Sequence, residues 1–271
     1  MKVTLKMFKQ AVKNGMKALH IDTETCLGTF CGFQIGSKVR ISHEQILTSP
    51  QVMSVQYKWE GEKEAFYIEW DKVGEQTVYD SGFDNSSMLK ETSRLIKESD
   101  IVIGQNINAF DMKMLQDGLV NNSLPYFDYD VTLDILTMSR KVFRPLSQKL
   151  DARATKYGMK GKIKMELQDW KDVTFNGKPI SAKMGPYGVR DVNEAQKVFY
   201  REFNHYKLPK NVERLVLSFL TLDKKIYCKK CADSHQRRYD VKVKQRKDFK
   251  EVTCNRCGDK WELHGTRGKK K

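Results

Sequence analysis

No stretch of the 271 residues approaches the roughly 18 uninterrupted apolar residues of a membrane-spanning helix, so no such span is expected. The N-terminus, MKVTLKMFKQAVKNGMKALHIDTET, alternates basic and apolar residues and lacks the compact apolar core and small-residue cleavage site of a secretory signal. A soluble, cytoplasmic protein is the expectation. Internal repeats are absent, and the closing Lys269-Lys270-Lys271 is the sole low-complexity run. Acidic residues are in deficit, 34 against 49 Lys and Arg, which leaves a formal net charge of +15. What is present is enough to fold: 39% hydrophobic and 10% aromatic residues exclude wholesale disorder. At roughly 100–200 residues per domain, the length suggests one large domain or a medium one with a small companion.

The positive excess is local. Residues 224–271 hold 17 Lys/Arg and 6 Asp/Glu, a net of +11, against a net of only +4 for residues 1–223. A focused positive field draws polyanions, nucleic acid being the commonest, although a solubilising tail carries the same signature. Cysteine is scarce, at six residues, and divides the chain at the same place. Cys26 and Cys31 stand alone and read as ordinary reduced thiols, whereas Cys228-Lys-Lys-Cys231 and Cys254-Asn-Arg-Cys257 form CxxC pairs. Without a secretory signal, disulfides are not expected, and two such knuckles point to four thiolates on one zinc ion. The 22 intervening residues exceed the usual spacing of about 15–20 and ask for a β-hairpin between the knuckles. Gly258 suits the closing turn. A module this small would hardly fold without its metal. Two domains follow, residues 1–223 and a basic four-cysteine zinc ribbon at residues 224–271.

Periodicity gives a coarse plan. Leu5, Phe8, Val12 and Met16 recur at near-helical spacing up to Asn14-Gly15, and Ala18-Leu19-His20-Ile21 reads as a buried strand. Residues 52–59 and 65–70 flank Gly61 as a hairpin would, and Ile101-Val102-Ile103-Gly104 is a second buried strand. Residues 26–50 read as an irregular excursion. Helices are expected at residues 88–96, from 108, and at about 131–142, 147–158 (capped by Ser147), 188–204 and 209–220. A hairpin followed by strands alternating with helices indicates an α/β domain with a mixed sheet.

The acidic residues carry the chemistry. Asp22 and Glu24 are one residue apart at a strand end and face one spot. Like charges held together repel, and an oxygen-loving divalent cation is the natural remedy. Asp111 follows the second buried strand in Gly104-Gln105-Asn106-Ile107-Asn108-Ala109-Phe110-Asp111. Tyr187-Gly188-Val189-Arg190-Asp191 opens an expected helix, where residues four apart share a face. Singly, each motif is weak. A D-x-E is most often a solvated turn, and Y-x-x-x-D occurs three times, as Tyr67/Asp71, Tyr126/Asp130 and Tyr187/Asp191. The first lies in strand-like alternation and the second in a loop; only the third begins a helix after the second motif. His20 reads as packed or exposed rather than as a ligand, Phe143 and Trp170 as core, and Asp134 as a cap for a neighbouring helix.

In their order, ALHIDTET, IGQNINAFDMKML and YGVRD resemble the three motifs of the DEDD 3′–5′ exonucleases, in the subgroup with Tyr in the third motif, which includes the proofreading domains of DNA polymerases. The resemblance runs over about residues 17–260, through Asp134 to Arg144, Ser147 to Leu150 and Lys160-Gly-Lys162. With the zinc ribbon it extends to phage-type stand-alone exonucleases, for which the compartment would be the host cytoplasm. It implies a ribonuclease-H-like mixed sheet flanked by helices, and two Mg²⁺ or Mn²⁺ ions. Asp22, Glu24 and Asp191 would hold the water-activating metal, and Asp22 and Asp111 the second. Tyr187 would orient the attacking water; Asn106, Thr23 and Lys162 would bind substrate. Gln105 departs from the family, where His commonly precedes that Asn. Single-stranded DNA 3′ ends are the expected partner, with a separate polymerase or recombination protein beside them. An RNA exonuclease with the same site, or a non-catalytic nucleic-acid-binding adaptor on a nuclease fold, would fit the same residues.

Overall fold

A computed structural model describes residues 2–31, 42–74, 82–127, 129, 131–159, 163–221, 241–245, 249–254 and 258–264. The chain divides into two compact units, one of residues 17–208 and one assembled from residues 1–16 and 209–271.

The larger unit is built on a mixed five-stranded sheet. Its strands are β1 (Ala18–Thr25), β2 (Val52–Trp59), β3 (Phe66–Glu69), β4 (Ile101–Gly104) and β5 (Thr132–Asp134), in the spatial order β3-β2-β1-β4-β5. β2 pairs antiparallel with both β1 and β3, as a hairpin dictates, and Gly61 between them takes φ +96°. β4 lies parallel to β1 and to β5. Parallel neighbours need crossovers, and the helices α2 (Ser86–Glu98) and α3 (Asp111–Asn121) supply them. This is the expected α/β architecture, compatible with a ribonuclease-H-like fold.

Each face of the sheet has its own core. Leu19 and Ile21 of β1 and Val102 of β4 pack with Met88, Leu89, Leu95 and Ile96 of α2 and Met112, Leu115 and Leu119 of α3. On the other face run α4 (Ile135–Val142), α5 (Leu150–Lys156), α6 (Leu167–Phe175) and the 19-residue α7 (Met184–Glu202), which touches β1 and β2. A smaller cluster there joins Met53, Trp70, Val173, Ile180 and Met184, with Trp170 packed against it and Cys26 buried within it.

Several boundaries differ from the pattern-based reading. The helix expected from residue 131 begins at Ile135, because Thr132 and Leu133 extend the sheet beside Val102 and Ile103. Asp134 closes that strand and caps α4, accepting from Thr137 N. Ser147 is not a helix cap: α5 starts at Leu150 after Lys149, and the Ser147 hydroxyl accepts from Lys149 N. Helix α6 lies outside the helices expected from periodicity; its start is fixed by a reciprocal capping box of Glu166 and Asp169.

In the smaller unit, α1 (Leu5–Lys13) packs on α8 (Lys210–Thr221), and Asn14 at the end of α1 donates to the carbonyl of Phe219 (2.8 Å). Three antiparallel strands follow, β6 (Val241–Gln245), β7 (Phe249–Cys254) and β8 (Lys260–His264). Cys254 ends β7 buried, and Gly258 N donates back to its carbonyl across a turn at φ +71°. Cys228, Cys231 and Cys257 lie outside the described residues, as do Lys160, Lys162, Asp128 and Asp130.

Candidate metal centre

The centre begins with strand parity. Side chains alternate along β1, so Leu19, Ile21 and Thr23 turn toward α2 and α3, while His20, Asp22 and Glu24 turn toward α7. In the antiparallel register Asp22 sits opposite Gln56 and Glu24 opposite Ser54, immediately before the irregularity that ends the pairing.

Asp191 arrives on α7, and two glycines decide how near that helix comes. A Cβ on Gly188 would stand 2.4 Å from the buried Gln56 side chain, and one on Gly185 would stand 2.8 Å from the Tyr67 ring. With hydrogen at both positions, the first turns of α7 lie directly on β2 and β3. The ligand oxygens of Asp22, Glu24 and Asp191 then fall within 4.8 Å of one another, the first two half-buried and Asp191 only 6% exposed. Three carboxylates this close repel in the absence of a cation, and an all-oxygen donor set suits Mg²⁺ or Mn²⁺. Tyr187 stands one turn before Asp191 on the same face of α7. Of the three Y-x-x-x-D pairs, Tyr67 lies in β3 with Asp71 beyond its end, and Asp130 is outside the described residues.

Asp111 is not a member of that group. As the first residue of α3 it is 3% exposed, and its Oδ1 accepts from both the amide (2.9 Å) and the hydroxyl (2.7 Å) of Thr23. Burial raises its pKa, the Thr23 bonds oppose that and the Asp134 charge adds to it, leaving the carboxyl at about 6. Thr23, expected at the substrate, is thus engaged through both donors with Asp111. Asn106 adopts φ +63°, a left-handed conformation uncommon outside glycine, and its amide donates to Asp134 Oδ1 (3.2 Å).

Two buried polar networks draw on residues of α7, and neither follows from local sequence pattern. Glu60 accepts from His20 (2.9 Å), Gln196 (2.9 Å) and Tyr200 (2.6 Å). Burial alone would raise its pKa, but these bonds and the His20 charge hold it below the ordinary value. His20 is therefore a packed residue, set edge-on to Phe199. In the second network Arg153, 2% exposed, pairs through two nitrogens with Glu202 (2.6 and 3.3 Å), which also accepts from Tyr157 and Tyr206. A further Arg153 nitrogen donates to Gln105 Oε1 (3.0 Å), so Gln105 is tied to α5 and α7 from the residue beside Asn106. Nothing local in the sequence pairs residues 153 and 202. For the approach of α7 the local signal is the pair Gly185 and Gly188, three residues apart on one helix.

The fold and site define an α/β protein with a carboxylate cluster that suits a metal ion. The sequence matches no family model and no curated protein. Among solved structures the chain is similar to the family B DNA polymerase from the hyperthermophilic archaeon Pyrobaculum calidifontis, with a TM-score of 0.50 and 14% identity. The likeness is one of fold, covering 69% of this chain and spanning about a quarter (24%) of that polymerase. No helix among the described residues is long and apolar enough to cross a membrane.

Proposed function

We propose that this chain is a metal-dependent 3′–5′ exonuclease acting mainly on single-stranded DNA. The observation that carries the reading is the meeting of Asp22, Glu24 and Asp191 from a strand and a distant helix, with Tyr187 one turn away. The fold shared with a DNA polymerase supports a nucleic-acid substrate. Asp22, Glu24 and Asp191 would hold one divalent cation, and Asp22 with Asp111 a second. Such ions, when bound, would supply a water activated near neutral pH and charge stabilisation for the leaving oxygen. The chain's own residues do the rest. Tyr187 orients the attacking water through its hydroxyl, and Asn106 holds the terminal nucleotide. Lys162 contacts a phosphate. A duplex end must fray before its 3′ nucleotide reaches the carboxylates. In residues 224–271, Cys228, Cys231, Cys254 and Cys257 bind a structural zinc ion, and the basic ribbon adds sequence-independent phosphate contacts.

The test is a 5′-labelled single-stranded DNA oligonucleotide incubated with the protein and Mn²⁺ or Mg²⁺, beside an Asp22→Ala/Glu24→Ala control. A ladder shortening from the 3′ end, absent in the control, is the expected result. Shortening from the 5′ end, or an equal ladder in the control, would sink the reading.

A further inference from the structure

A cleft of about 430 Å³ runs along α7, lined by Met159, Pro186, Val189, Arg190, Asn193, Glu194 and Lys197. Pro186 and Arg190 stand one position before Tyr187 and Asp191, so the cleft starts level with the carboxylates and runs along the helix away from them. With a helical rise of about 1.5 Å per residue, Lys197 lies roughly 9 Å beyond Asp191 along the axis.

Charge in the cleft is unbalanced. Glu194 is its one carboxylate, and Arg190 Nε already donates to it (3.0 Å). Lys197 is exposed and makes no ion pair among the described residues. Behind it, Lys58 of β2 is buried, with its ammonium on Asn193 Oδ1 (2.8 Å) rather than on an acid. Burial, opposed by Glu60, holds the Lys58 pKa low, and the nearby Lys197 charge pushes it further down. The Lys197 charge disfavours the buried Lys58 ammonium, and an anion on Lys197 in the cleft relieves that repulsion. The remaining walls, Met159, Pro186 and Val189, are apolar and suit the flat faces of sugars and bases.

We propose that this cleft binds the phosphodiester backbone of the nucleic-acid strand next to the nucleotide held at the carboxylates, with Lys197 and Arg190 as the phosphate contacts. The inference rests on the proposed exonuclease reading only for the side from which the strand arrives. Binding itself needs no hydrolysis, which allows the two to be tested apart.

The experiment measures fluorescence anisotropy of a 5′-fluorescein dT12 oligonucleotide without added Mg²⁺ or Mn²⁺, across a salt series, with the full chain. Wild type is compared with Lys197→Gln, with the charge reversal Lys197→Glu, and with Lys90→Gln. Lys90 is an exposed lysine on α2, across the sheet, and its replacement changes net charge equally. Thermal melts establish that each variant is folded. Loss of one phosphate contact to a single strand lowers the magnitude of the log Kd against log salt slope by about 0.7. That drop is expected for Lys197→Gln, with weaker binding still for Lys197→Glu and a wild-type slope for Lys90→Gln. Wild-type affinity and slope in both Lys197 variants, or an equal drop in Lys90→Gln, would overturn the proposal. A Lys197-dependent slope in a protein that degrades no oligonucleotide would uphold the cleft and remove the exonuclease reading; degradation with a Lys197-independent slope would do the reverse.

Discussion

At the scale of single residues, the centre is governed by charge repulsion and by what relieves it. Asp22, Glu24 and Asp191 oppose one another across less than 4.8 Å, so neutralising one of them removes repulsion while removing a ligand. Asp22→Asn is therefore expected to raise the melting temperature of the metal-free protein and to abolish the further rise that Mn²⁺ or Mg²⁺ gives the wild type. A ligand at about 100 times its Kd stabilises by roughly 2.7 kcal/mol, so the loss is readily measured by thermal melts with and without the ion. Asp111 makes a separate, pH-dependent statement. Its folded pKa of about 6 lies above the ordinary carboxyl value, so the folded state keeps a proton that the unfolded chain has released. Its contribution to stability is present below the unfolded pKa, near 4, and is lost as pH rises through about 6. Asp111→Asn still accepts from Thr23 but carries no charge. Melts without added Mg²⁺ or Mn²⁺ should show it gaining on the wild type from pH 4 to pH 7.5, by a few degrees on a scale of about 2–4 °C per kcal/mol. A difference independent of pH would remove the buried-carboxyl account.

At the scale of elements, the position of α7 decides whether a centre exists. Gly188→Ala would place a methyl 2.4 Å from a fully buried Gln56 side chain, so that side chain must give way or the helix must lift from β2. Overpacking of this kind costs about 1–3 kcal/mol. Because a lifted helix carries Asp191 with it, metal affinity should fall more than stability does, read as a Mn²⁺ titration beside a melt. An equivalent alanine at Gly74, where a Cβ meets nothing within 4 Å, is the control. Further along α7, the Arg153–Glu202 pair ties it to α5. Arg153→Leu leaves Glu202 buried with two tyrosine hydroxyls and no cation, and removing one partner of a buried pair costs about 3–5 kcal/mol. A variant melting within a degree of the wild type would show that the tyrosines suffice.

At the scale of the whole molecule, charge and cysteine separate two regions. Residues 224–271 hold a net charge of +11 of the chain's +15, and four of its six cysteines. Elemental analysis of the purified chain should find one zinc per molecule, and Cys254→Ser should lose it. Zinc retained at full stoichiometry by that variant would place the metal elsewhere. The larger unit needs no such staple, having an apolar core on each face of its sheet.

What local order alone dictates was readable in advance. A two-residue period put Asp22 and Glu24 on one face of a strand, a 3.6-residue period put Tyr187 and Asp191 on one face of a helix, and apolar runs marked β1 and β4. These depend on neighbours within a few positions. The folded structure decided what depends on residues far apart. It laid α7 on β2 where two glycines permit contact, and so brought Asp191 to Asp22 and Glu24. It turned Asp111 onto Thr23, joined Arg153 to Glu202 and Gln105, and opened a cationic cleft along α7. Periodicity says which way a side chain leaves its own element; only packing says what it meets.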